Sequence, residues 1–213
     1  MLVLKQCIDI NKNRRDCNAG LADVSGNSPD FIYIISVFNR LVSRRNAVKN
    51  SFAQIDVQLQ RRHDLIPNLV ESTKAYMSHE KDTLERVISA RDAAVLAQQN
   101  LQRQAQINPQ LLDQLVQAEQ RLSQSLAQFS AVMEQYPDLK ADAVVKELME
   151  ELNNTENRVG FARQAYNDEV MLYNNACETF PGNFVAGTFS FKSMKQLVLD
   201  DAKAVRQPVP VNF

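Results

Sequence analysis

The side chains best equipped for chemistry are sparse in this 213-residue chain: two histidines, His63 and His79, and three cysteines, Cys7, Cys17 and Cys177. Helical proteins that hold two metal ions build the site from Glu-x-x-His pairs, because residues three apart share a helix face. Here the residues three before the histidines are Gln60 and Tyr76, so that pattern is absent. A nucleophile–base–acid arrangement would have to recruit one of the same histidines, and neither sits near a nucleophile in a glycine-lined turn. The chain has 5 glycines, no P-loop and no Gly-x-Gly-x-x-Gly run, which leaves little material for cradling phosphates. The cysteines lack metal-ligand spacing; Cys7 and Cys17 are close enough in sequence to pair, but unpaired thiols fit the pattern better. The expectation is a protein that is not an enzyme, with no catalytic residue, no cofactor and no metal. With 24 basic and 25 acidic side chains the net charge is −1, so no overall field favours nucleic acid as a partner.

The scaffold is more legible than the chemistry. Hydrophobic residues make up 45% of the chain and charged residues 23%, with only 5 Gly and 7 Pro; few breakers imply long helices. Residues 1–30 are polar and unpatterned up to Gly26, Asn27, Ser28 and Pro29 and predict a flexible arm. From there apolar residues recur in heptad register at Phe38, Leu41, Val48, Phe52, Ile55 and Leu59, predicting a helix over 31–62. The run Arg61-Arg62-His63-Asp64-Leu65-Ile66-Pro67 supplies a basic helix end, a cap and a first-turn proline, so the chain is expected to reverse there. Further helices follow over 64–103, 108–135, with Asn108 as cap, and 140–179. Four such helices joined by short turns bury their apolar stripes by lying antiparallel, which predicts an all-α, long up-and-down four-helix bundle over 31–182. The tail, 183–213, carries Phe184, Phe189 and Phe191, large enough to pack on one end of it.

That geometry places residues equally far from a turn at one height. Arg45 and Glu80 should then be level, with Glu119 or Arg121 and Glu156 nearby. A buried Arg45 needs a carboxylate partner, so Arg45, Glu80 and Glu156 form the predicted buried polar layer. Such a layer is either a site for a small anion or lipid head group or, as the sequence favours, a device that fixes helix register. The clusters Arg40, Arg44, Arg45, Lys49 and Arg61, Arg62, His63 could serve as lipid or partner contacts, but such clusters are more often solvated helix faces. Helix 140–179 is rich in asparagine, a poor helix former, at Asn153, Asn154, Asn157, Asn167, Asn174 and Asn175. The excess points to a polar groove. Arg61, Arg62, His63, Asn157, Asn167 and Asn174 are the candidate interaction surface, for another protein of unspecified identity.

Several ordered blocks resemble the LemA family. They are Phe38-Asn39-Arg40-Leu41-Val42, the run from Gln54 to Glu71, His79-Glu80-Lys81, Tyr136-Pro137-Asp138, Thr155-Glu156-Asn157-Arg158, Ala162-Arg163-Gln164-Ala165-Tyr166-Asn167, Tyr173-Asn174 and Val211-Asn212-Phe213. The resemblance spans about residues 37–213. It implies a bacterial helical bundle tethered to the cytoplasmic membrane by one N-terminal helix, without established enzymatic activity, acting as a structural or adaptor protein. Here only the aliphatic-aromatic run Phe31–Phe38, about eight residues, stands where about 20 apolar residues would span a bilayer. The chain as written is therefore expected not to cross one. Arg40, Arg44, Arg45 and Lys49 just beyond that stretch would put the bundle on the cytoplasmic side, although Lys12, Arg14 and Arg15 stand on the other.

Overall fold

A computed structural model of the protein describes residues 29–104 and 107–197. Among these, every regular element is a helix: α1 (Pro29–Thr73), α2 (Lys81–Gln102), α3 (Pro109–Met133), α4 (Pro137–Ala141), α5 (Ala143–Glu178) and α6 (Gly182–Thr188). The predicted arm up to residue 28, Cys7, Cys17 and the tail beyond residue 197 lie outside the described residues.

The first two helices differ from expectation. The chain does not reverse at 61–67; α1 continues through Pro67 to Thr73, and the reversal falls at residues 74–80. Proline inside a helix deletes one N–H and leaves the carbonyl four residues earlier without its partner, usually at a cost of ~3 kcal/mol or more. That carbonyl is His63 O, and Arg91 of α2 donates its Nε–H to it at 3.2 Å. A side chain from the neighbouring helix thus replaces the lost donor. Apolar periodicity also carries α1 past the proline, since Ile55, Leu59, Arg62, Ile66, Leu69 and Thr73 are all buried at alternating steps of four and three. Asp64, expected as a cap, is exposed in mid-helix and accepts from Gln60 Nε2 at 2.9 Å.

The later boundaries follow local chemistry. Asn108 accepts from Gln110 N at 2.9 Å and Pro109 opens α3. Asp142 caps α5 by accepting from Val144 N and Val145 N, and the single turn α4 occupies the connection before it.

Helix α1 packs most extensively on α5, and α2 on α3. As α1 advances from Arg44 to Arg61, its ion-pair partners on α5 retreat from Glu169 to Glu151, so these two helices are antiparallel. The pair α1 and α2 is antiparallel as well: His63 O meets Arg91, and Asp56 accepts from both Gln98 and Gln102. One connected core runs through the described residues, with Leu41, Val48, Ile66, Leu69, Met77, Val87, Leu122, Phe129 and Tyr166 essentially inaccessible. A groove opens along one side, lined by residues of α1, α3 and α5.

Beyond α5, helix α6 packs on the ends of α1 and α5, and the chain then runs back without regular structure from Phe191 to Leu197. Phe191 lies edge-on to Phe38 with ring centroids 5.7 Å apart. Phe189 touches the same ring at 4.9 Å yet stays 54% exposed, and Phe184 is 74% exposed. The expectation that Phe184 packs on the helices is therefore corrected, because α6 turns that face outward.

Candidate functional site

Because α1 does not stop at Arg62, both Arg62 and His63 lie in mid-helix on its inward side, 3% and 0% exposed. Their proposed place on an interaction surface is corrected accordingly. The carboxylate that meets them comes from α3. Arg62 Nη1 donates to Glu119 Oε2 at 3.4 Å, and His63 Nε2 stands 2.7 Å from Glu119 Oε1. A carboxylate accepts, so Nε2 carries the proton toward it, while Nδ1 is buried without a partner among the described residues. Arg62 Nη2 donates to Ser123 Oγ at 2.9 Å and lies 3.8 Å from Glu156 Oε1 on α5. One cluster thus ties α1, α3 and α5 together, and Arg62 Nε remains buried without an acceptor.

Of the predicted polar layer, Glu156 belongs to this cluster, together with Glu119. Arg45 and Glu80 do not belong to it. With the reversal at 74–80, Glu80 sits at the start of α2 and accepts from Tyr136 Oη at 3.4 Å. Arg45 lies 28 residues before the end of α1, about 40 Å away along the helix axis. Its guanidinium instead covers the Phe191 ring at 5.1 Å. The layer shared by Arg45 and Glu80 is therefore corrected: Arg45 lies well inside α1, whereas Glu80 stands beyond its C-terminal end, at the start of α2. Arg121 is exposed, and its carbonyl accepts from Ser125 Oγ at 3.0 Å.

A second constellation lies on α5. Asn174 accepts from Met194 N at 2.9 Å and donates to Met194 O at 2.9 Å. One heptad earlier, Asn167 does the same to Leu197, at 2.7 and 3.0 Å. The preceding tyrosines repeat the pattern, with Tyr173 Oη donating to Lys192 O and Tyr166 Oη to Lys195 O. Two Tyr-Asn pairs therefore clamp the backbone of an extended strap, residues 191–197. Lys195 adds an ion pair to Asp113 of α3 at 2.7 Å. Burial pushes the Tyr166 phenol up to about 12 and moves Tyr173 and the Cys177 thiol upward too. The two phenols therefore stay protonated as the hydrogen-bond donors of the clamps. Asn157 and Arg61 are exposed, Arg61 pairing with Glu151.

A family model for LemA matches residues 51–213, a span that holds the whole ion cluster and both clamps. The chain belongs to the LemA family. Among curated relatives, the "Magnetosome protein MamQ" of Magnetospirillum gryphiswaldense is 25% identical over 172 residues, covering 74% of this chain and 63% of that protein. "Magnetosome protein MamQ 2" of Paramagnetospirillum magneticum is 27% identical over 169 residues, covering 73% of this chain and 62% of that protein. The chain thus spans somewhat under two thirds of the length of these relatives.

Within this LemA chain the sequence pointed to Glu119 and Glu156 but gave them the wrong cation. The missed signal was the unbroken four-three register that places Arg62 between Leu59 and Ile66. Among the described residues no group of His, Cys, Asp and Glu is arranged to hold a metal ion. Nor is any described helix long and apolar enough to cross a membrane.

Proposed function

We propose that this LemA-family protein is a non-enzymatic, membrane-associated adaptor, an up-and-down four-helix bundle that rests one end on a lipid surface and offers its helix faces to another protein. The observation behind this reading is a crowd of exposed apolar side chains at one end. Ile32 and Tyr33 at the start of α1 are 57% and 56% exposed, and Ile34 and Ile35 are also open. Phe180 and Phe184, around α6, are more open still. They share an end because α6 packs on α1, and Tyr33, Val37, Arg40, Phe180 and Pro181 line one surface cleft. Soluble surfaces rarely gather so many large apolar groups without a use for them. Arg40 stands between one and two turns below this end and Arg44 between two and three, and long basic side chains there extend toward phosphate head groups. By the positive-inside tendency the body would then face the cytoplasm. The names of the relatives, which are magnetosome proteins, are in keeping with a membrane setting.

The test is co-sedimentation with vesicles of phosphatidylglycerol and phosphatidylethanolamine. The chain should partition to the vesicles, and Ile32→Ser/Ile35→Ser/Phe180→Ser/Phe184→Ser should lose that binding while keeping its helical content. A chain that stays in the supernatant, or a quadruple variant that binds equally well, refutes the membrane reading.

A further inference from the structure

Helix α5 carries a second stripe besides the one it buries. Asn154, Arg158, Phe161, Ala165, Asp168 and Leu172 recur at alternating steps of four and three, and all six are exposed. That spacing holds residues on one face, as in a seam that packs on a partner helix. At its centre Phe161 is 73% exposed. Beside it a shallow hollow of about 610 Å³ lies between α1 and α5, walled by Ala53, Val57, Ala162 and Ala165. Val57 is itself 62% exposed. Apolar groups scattered singly are normal on a soluble surface, but a large ring next to a hollow with small-residue walls, with Leu172 on the same stripe, forms a patch of the kind that marks an interaction site.

The charges on the stripe decide what can cover it. Arg158 and Asp168 have no ion-pair partner among the described residues. Let a second α5 lie antiparallel on the first, related to it by a two-fold axis midway between residues 161 and 165. Phe161 then stands opposite Ala165 of the second copy, Arg158 opposite its Asp168 and Asn154 opposite its Leu172, and symmetry makes each pair twice. Large meets small, which lets the helices interdigitate, and each cation meets an anion. The six positions extend over about 27 Å of helix. A parallel pair would instead bring Arg158 onto Arg158 and Asp168 onto Asp168, which repel. With a net charge of −1, two copies have no general repulsion to overcome.

We propose that the outer face of α5, flanked by Ala53 and Val57 of α1, binds a second copy of this chain as an antiparallel two-fold pair, with Phe161 against Ala165 and Arg158 against Asp168 across the interface. The apolar end around Ile32 and Phe180 lies outside this face, so the pairing and the lipid contact proposed above stand or fall separately.

Sedimentation equilibrium of the full chain, without lipid, tests this. The chain should pass from monomer to dimer over micromolar concentrations. Arg158→Asp and Asp168→Arg each set like charges opposite one another at both ends of the stripe, and each should weaken the dimer at least about tenfold. Both positions are exposed, so neither change reaches the packed core. An equimolar mixture of the two variants sets two acidic side chains of one copy against two basic ones of the other and should dimerise again. Arg158→Asp/Asp168→Arg, which exchanges the charges within one chain, should also recover the dimer. A chain that stays monomeric up to about 1 mM leaves the face to a different protein and overturns the proposal. A dimer that neither single reversal weakens overturns it as well, as does a mixture that remains monomeric.

Discussion

Removing the Glu119 carboxylate should be the most damaging single change of charge in the molecule. Its partners are almost wholly desolvated: the Arg62 side chain is 4% exposed, that of His63 0%, and Glu119 itself only 13%. Glu119→Ala would strand a guanidinium and an imidazole N–H inside the packed helices, and breaking a buried pair in this way costs about 3–5 kcal/mol. Glu156 can recover only a little, because it is 3.8 Å from Arg62 and 53% exposed; such a contact offsets at most about 1 kcal/mol. For a chain of this size each kcal/mol moves Tm by about 2–4 °C, so Glu119→Ala should melt about 10 °C lower. Glu119→Gln keeps an acceptor for one of the two donors and should lose about half as much. The decisive comparison is Arg62→Met/His63→Leu/Glu119→Leu, which removes the stranded groups along with their partner. If the penalty is that of isolated charge, the triple variant should lie within about 1 kcal/mol of the parent or above it. Thermal and urea unfolding followed by circular dichroism give these values. A Glu119→Ala chain as stable as the parent, or a triple variant as damaged as the single one, refutes the reasoning.

Two other predictions test the elements around this cluster. Arg91→Met removes the donor that replaces the N–H missing at Pro67 and should cost about 1–2 kcal/mol in urea unfolding, whereas in a Pro67→Ala background the restored N–H takes the His63 carbonyl and the same change should cost a few tenths. Equal losses in the two backgrounds would show that Arg91 acts by some other route. The strap should also open in alkali. Burial raises the Tyr166 phenol from 10.0 to about 12 in the folded chain, so its stabilisation is complete below about pH 10 and is lost as pH rises through about 12. Phenolate absorbance in a rapid pH jump should contain a component titrating near pH 12 that Tyr166→Phe/Tyr173→Phe removes; a late component that survives the double change assigns it elsewhere.

The all-helical class was legible because apolar residues kept one register over long stretches. The start of α3 could be placed from Asn108 and Pro109, since a cap and a first-turn proline act within a few residues of themselves. The first reversal was misplaced because Arg61 to Pro67 carries every local signal of a helix end. What overrides those signals is tertiary: Arg91, far along the chain, supplies the missing donor. Moving that turn shifts every height inferred from it. This explains why Glu119 and Glu156 appear in the observed cluster, while Arg45 and Glu80, aligned by the misplaced turn, lie far apart.

The asparagines show a different kind of limit. Their excess in α5 was legible as an interaction surface, and Asn167 and Asn174 do hold a chain, namely residues 194 and 197 of the same protein. Nothing in the strap's side chains announces this, because the amides bind main-chain N–H and C=O groups that every residue except proline carries. The selectivity lies in spacing. Helix α5 presents a Tyr-Asn pair every seven residues and the strap meets them three residues apart, at Met194 and Leu197, and both spacings come to about 10 Å. A Tyr-Asn pair repeated at seven therefore grips an extended backbone whatever its sequence. The segment that occupies the ladder is the one whose chain connection gives it the highest local concentration.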